Sequence, residues 1–210
     1  WCKPGTFQMG SPEDEEDRDD DETQYKVTLT HGFWLGKYEV TQEQWQKVMG
    51  SNPSWFNGAT LPVETVSWTD AMEFCRKVTE RERRAGRLPD GYRYTLPAEA
   101  QWEYACRAGT RTRFSFGDLE GSLYQYGNYA DRNVDFDWAD KSRDDGHEHT
   151  APVGSYKANA WGFHDMHGNV WEWCLDWYGE DPAIATDPVG PRTGSARVDR
   201  GGGWYNDARV

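Results

Sequence analysis

The sequence predicts an α+β fold: a single loop-rich domain of about three helices and short antiparallel strands. Three observations carry this. Helix-start signals introduce three amphipathic stretches, all before residue 110. Runs of β-branched and aromatic residues are short and bounded by Gly. The 22 Gly and 10 Pro are spread along the chain, which marks many turns. Apolar residues make up only 36%, but 12 Trp, 11 Tyr and 8 Phe predict an aromatic core, because a few large rings bury much area.

In chain order, GTFQMG (5–10) and YKVTLTHGFWLGKYEV (25–40) read as the opening strands. Thr41 and Gln44 form a capping box for a short helix that closes at Gly50. Ser67 and Asp70 form a second, before a helix with Ala71, Phe74, Cys75 and Val78 on one face and Gly86 as terminator. Pro97 and Glu99 open the third, where Ala100, Tyr104 and Ala108 share a face and Gly109 ends it. Beyond Gly109 there is almost no helical periodicity, so the second half reads as turns joined by short strands. No repeat of solenoid or propeller length is present.

The net charge of -13 is concentrated: Glu13–Glu22 holds nine acids against one Arg and accounts for eight of the thirteen charges. Such a block reads as a solvated loop. Without a basic stripe, nucleic-acid binding is excluded as an expectation. No apolar run is long enough to span a membrane and no signal pattern is present, so the chain reads as soluble, with an extracytoplasmic placement left open. It stops at Val210 inside a structured motif and reads as truncated there. Cys2, Cys75, Cys106 and Cys174 lie far apart without CxxC spacing, which favours buried free thiols over a zinc or redox site.

DMHGNVWEW (165–173) is the densest site signal. Asp165 and Glu172 are hard oxygen donors, and Gly168 permits a tight turn that aims backbone carbonyls at a cation, as calcium requires. In VWEW the two indoles point one way and Glu172 the other. A hydrogen-bonded Glu and an exposed turn Asp would fit the same spacing. His147 and His149, two imidazoles without a third ligand, read as loop residues rather than a zinc site.

Six ordered motifs, GTFQMGS, FWLGKYEVTQEQW, PVETVSWTDAMEFC, YTLPAEAQWEYACRAGT, PVGSYKANAWGFHDMHGNVWEW and RVDRGGGW, resemble the formylglycine-generating enzyme (sulfatase-modifying factor) family. The resemblance spans residues 1–210 and implies an elaborated C-type-lectin-like fold. It also implies two calcium sites. One uses the side chains of Asp165 and Glu172 with the carbonyls of Gly168 and Val170. The other uses the side chains of Asp131 and Asp145 with the carbonyls of Arg132 and His147.

Enzymes of this family oxidise a substrate cysteine with oxygen at a copper(I) pair of cysteines near the C-terminus. The first of these positions is Asn206 here and the second would follow Val210, so no catalytic residue is assigned and copper is not expected. Two functions follow. The first is a calcium-stabilised binding or display module. Some relatives serve as variable proteins of diversity-generating retroelements, and Asp199, Gly203, Tyr205, Asn206, Asp207 and Val210 stand at candidate varied places beside Trp204, forming a surface for a protein or other ligand. Arg200 and Arg209 are candidate polar anchors there. The alternative is a copper- and oxygen-dependent formylglycine-generating oxidoreductase acting on a cysteine of a sulfatase-like protein.

Overall fold

The computed structural model describes residues 1–15, 18, 22–179 and 185–208. Val210, Arg209 and part of the acidic run lie outside them. Strands β1 (Gly5–Met9) and β2 (Tyr25–Leu29) pair antiparallel with Gly5 opposite Leu29. Helix α1 (Gln42–Met49) starts on the Thr41 capping box and stops at Gly50 in the left-handed conformation. Helix α2 (Trp68–Arg84) starts on the Ser67–Asp70 box. Both starts follow from side chains satisfying the free N–H groups of a first turn.

Helix α3 (Glu99–Arg107) has Ala98 at its N-cap, which offers no side-chain oxygen. Asp176 supplies it from strand β3 (Glu172–Trp177): its Oδ2 accepts the Glu99 N–H at 2.8 Å. Gln101 Oε1 accepts the Ala98 N–H. Strand β4 (Arg197–Arg200) pairs antiparallel with β3, placing Glu172 opposite Arg200, with a register shift before Trp177. Among the described residues no helix is long and apolar enough to cross a membrane.

The main core gathers Met9, Val27, Leu29, Ala100, Trp102, Tyr104, Cys106, Phe163, Cys174 and Val198, so β1, β2, α3, β3 and β4 enclose one centre. α1 lies outside it, stacked through Trp45 on Phe74 of α2 at 5.1 Å. The Arg197 guanidinium is sandwiched between Trp68 at 3.8 Å and Trp177 at 3.5 Å.

Several expectations are corrected. The core is not predominantly aromatic: Trp1, Trp34, Trp55, Trp138 and Trp161 are exposed. An indole N–H needs an acceptor, and half-buried sites provide one, as where Trp68 donates to the Cys174 carbonyl. Residues 33–40 form no strand beyond the Cys2–Phe33 bridge, since their partners are loops. The predicted α2 stripe is only half-buried, Cys75 included. A 3-10 turn, η1 (Glu120–Gln125), stands where no helix was expected. Cys2, Cys106 and Cys174 are buried and all four thiols are free.

Candidate binding and cation sites

The first candidate site forms where β3 begins. Asp165 is buried in the left-handed conformation (φ 60), one of the few residue types that adopts it readily. Its Oδ2 accepts the Gly154 N–H at 2.6 Å, while Oδ1 is buried without a partner. Glu172 projects to the same side, as the strand alternation requires: Trp171 and Trp173 send their indole N–H groups to Asn206 Oδ1 and the Val66 carbonyl. Burial pushes Glu172 up to about 7; the Trp102 indole draws it back and the Asp165 charge adds to it.

Glu39 completes this acid group and was not legible as a site residue. Its carboxylate accepts Asn169 Nδ2 at 2.7 Å and the Val170 N–H at 3.2 Å. Burial, and then the charges of Asp165 and Glu172, hold Glu39 well above the usual carboxylate range. Among the described residues no three His, Cys, Asp or Glu converge at metal-binding distance. A cation here would therefore rest on two carboxylates plus backbone oxygens. Gly168 is required where it stands: at φ 121, a Cβ would lie 2.0 Å from the Asn128 carbonyl oxygen.

The second candidate set also comes together. Asp131 is fully buried, and its Oδ2 accepts the Asp145 N–H while Oδ1 accepts the Asn133 N–H at 2.8 Å. Asp145 in turn accepts from the Tyr129 and His147 N–H groups. Burial pushes Asp145 up to about 7, with Asp131 and Asp144 adding as like charges. Arg132 pairs outward with Asp144. The imidazoles diverge: His147 packs edge-on to Tyr156, whereas His149 lies against Phe56 and Trp204.

Asn169, unmarked in the sequence reading, joins these parts. Its side chain accepts from Ala151 N and Asn128 Nδ2, and its carbonyl accepts the Trp204 N–H at 3.0 Å. The C-terminal loop is thus tied to the first acid group through one buried amide.

The predicted ligand residues separate. Asn206 faces inward, with Oδ1 accepting Trp171 Nε1 at 3.0 Å and Gly203 N at 2.9 Å. Gly203 is buried, Trp204 and Asp207 are half-buried, and Asp199 and Tyr205 are exposed. Arg200 is committed to the scaffold, donating to Glu103 at 2.7 Å, because two acids of α3 lie beside it. Asp199 and Arg200 border a cleft of about 600 Å³ that α3 also lines. In its wall Ser115 donates N–H and hydroxyl to His167 Nε2, which burial keeps neutral by lowering it to about 4.

Together these features define a loop-dominated α+β domain whose last β-hairpin and C-terminal loop are organised around buried carboxylates. All 210 residues match the family model of the sulfatase-modifying factor enzyme 1-like domain, and the chain belongs to that family. It is 34% identical to the chaperone protein LppX of Paenibacillus barcinonensis, over 88% of this chain and 73% of that protein. It is 37% identical to the formylglycine-generating enzyme of Streptomyces coelicolor, over 82% of this chain but only 50% of the enzyme's length. Among solved structures it superposes on Treponema denticola variable protein 1 with a TM-score of 0.79 at 29% identity, covering 99% of this chain and 84% of that one. PvdO from Pseudomonas aeruginosa gives 0.81 at 27% identity, covering 99% and 82%.

Proposed function

We propose that this chain is a calcium-stabilised binding module, with the surface of its C-terminal loop as the ligand-contacting face. The observation that carries the reading is Asn206. The position where the family's oxidases place their first copper cysteine holds an amide whose oxygen is spent on Trp171 and Gly203. An amide so placed is no soft ligand for copper(I). The four described thiols are free and three of them are buried in the core. Burial pushes Cys75 up to about 11 and Cys106 up to about 12, and raises Cys2 and Cys174, so all stay protonated. The names of two relatives, a chaperone and a variable protein, accord with partner binding.

Calcium fits the donor chemistry. Asp165 Oδ1 is a buried, unpartnered carboxylate oxygen beside Glu172, a costly arrangement unless a proton or a cation compensates it. Asp165, Glu172 and the Gly168 and Val170 carbonyls would hold one ion. Asp131, Asp145 and the Arg132 and His147 carbonyls would hold a second. A bound calcium would neutralise these acids and fix the loops that carry them. Calorimetric titration of chelator-treated protein with calcium tests this, with saturable binding expected and no heat of binding counting against it. Incubation of the full chain with copper(I), oxygen and a cysteine peptide tests the alternative. Formation of formylglycine would overturn the binding-module reading.

A further inference from the structure

We propose that the C-terminal loop continues into an aromatic platform that binds a lysine- or arginine-rich segment of a partner protein; this rests on the binding-module reading and adds the chemistry of the ligand. Trp204 is its centre, edge-on to Phe56 at 5.6 Å, near His149 at 4.9 Å and against Tyr205 at 5.5 Å. Phe136 reaches Trp204 at 6.2 Å and stacks on Trp138 at 4.8 Å. The Trp138 indole N–H donates to the Tyr205 carbonyl at 3.0 Å, so separate loops are locked into one surface. Its edge is open: Trp138 is 56% exposed, Tyr205 44%, and Trp55, next to Phe56 in the chain, 81%. A contiguous aromatic cluster with an exposed edge of this kind marks an interaction site.

Charge selects the occupant. Elsewhere the chain places its own cations over its rings, as with Arg197 on Trp68 and Trp177, Arg143 on Tyr124 and Lys157 on Tyr126. Among the described residues none lies over a platform ring. The described bases nearest in sequence are engaged: Arg132 with Asp144, Lys141 with the Val134 carbonyl, Arg143 over Tyr124 and Arg200 with Glu103. Asp135, Asp137 and Glu148, which adjoin Phe136, Trp138 and His149 in the chain, are exposed. Negative ring faces, with exposed carboxylates next to them in the chain, suit an ammonium or guanidinium group. A neutral sugar would stack on the same rings but gain nothing from the charge.

The test uses the full chain and the indole N–H signals of Trp55 and Trp138, assigned by W55F and W138F. The probes are a capped peptide alternating Lys and Gly, the same peptide with Glu in place of Lys, and a chitin oligosaccharide. The Lys peptide is expected to move both signals saturably. Loss of one ring in W138L should weaken binding about two- to fivefold. The exposed double variant D135N/D137N should weaken it as well, which keeps the test valid if W138L folds poorly, and raising salt to physiological strength should have the same effect. Movement by the oligosaccharide but not the Lys peptide would overturn the inference and leave the binding module standing. So would silence with all probes, or Lys-peptide binding that ignores both rings and D135N/D137N. Formylglycine formation by the chain would instead remove the underlying reading.

Discussion

Chelator-treated protein is expected to become more stable as the pH falls from about 8 to about 6.5. Glu172 and Asp145 both titrate near 7 in the folded state, against ordinary values of 4.5 and 3.8. A carboxylate with a raised folded pKa binds more protons folded than unfolded, so its stabilisation is lost as the pH rises through that value. Across this window Glu172 contributes about 0.8 kcal/mol, worth roughly 2–3 °C in melting temperature for a domain of this size, and Asp145, partly open to solvent, adds less. Glu39, raised by the same cause, acts in the same direction. As the pH approaches 6.5 and falls below it, His167 opposes the trend, by about 0.4 kcal/mol at 6.5: burial lowers it to about 4, so the unfolded chain takes up a proton that the folded chain refuses. Calcium needs these carboxylates ionised, so its stabilising effect should be larger at about pH 8 than at about 6.5, flattening or reversing the slope. Thermal melts by circular dichroism, with chelator and with millimolar calcium, measure both slopes. A chelated protein whose melting temperature holds or drops on acidification across the window, or a calcium increment independent of pH, would refute the reasoning.

Three substitutions probe the parts that position the site. Gly168→Ala drives a Cβ to 2.0 Å from the Asn128 carbonyl at a backbone angle L residues avoid, so chemical denaturation should show a loss of roughly 2–4 kcal/mol. Asn206→Ala strands the Trp171 indole N–H and the Gly203 N–H, and about 1–3 kcal/mol should be lost, with faster proteolysis of the C-terminal loop as a second readout. Asp176→Ala removes the borrowed cap of α3 and should cost about 1 kcal/mol, whereas Asp176→Asn, which keeps an acceptor, should recover most of it.

The starts of α1 and α2 were legible because their capping boxes are local: Thr41 with Gln44, and Ser67 with Asp70, need nothing beyond four residues. The cap of α3 was not, because Asp176 lies 77 residues away. The same limit hid Glu39, whose partners Asn169 and Val170 are 130 and 131 residues on. Asp165, Gly168 and Glu172 could be marked as candidates because one turn and one strand hold them in a single stretch, whereas Val170 entered only through the family resemblance. The strand expected over 33–40 failed because alternation shows that a segment can pair, not whether a regular partner exists. The expectation of an aromatic core failed because composition counts rings without saying which find an acceptor only at the surface, as the exposed Trp138 indole does at the Tyr205 carbonyl.

The geometry of Asn206 also bears on how a C-terminal loop of this kind could vary. If positions 199–210 were free to change, those whose side chains face outward could do so at little cost, and Tyr205 and Asp199 are exposed. Asn206 is different: its oxygen closes the Gly203 turn and holds Trp171, and its carbonyl accepts the Ala130 N–H. Most replacements there would leave buried donors unpaired, a penalty paid in every variant regardless of ligand. Asn206 thus anchors the loop against the scaffold. Through the Trp204 N–H, held by the Asn169 carbonyl, that loop is connected to the buried acids. A cation on those acids and a ligand on Trp204 would then bear on the same buried amide, so calorimetric titration of each in the presence of the other should show one common coupling factor.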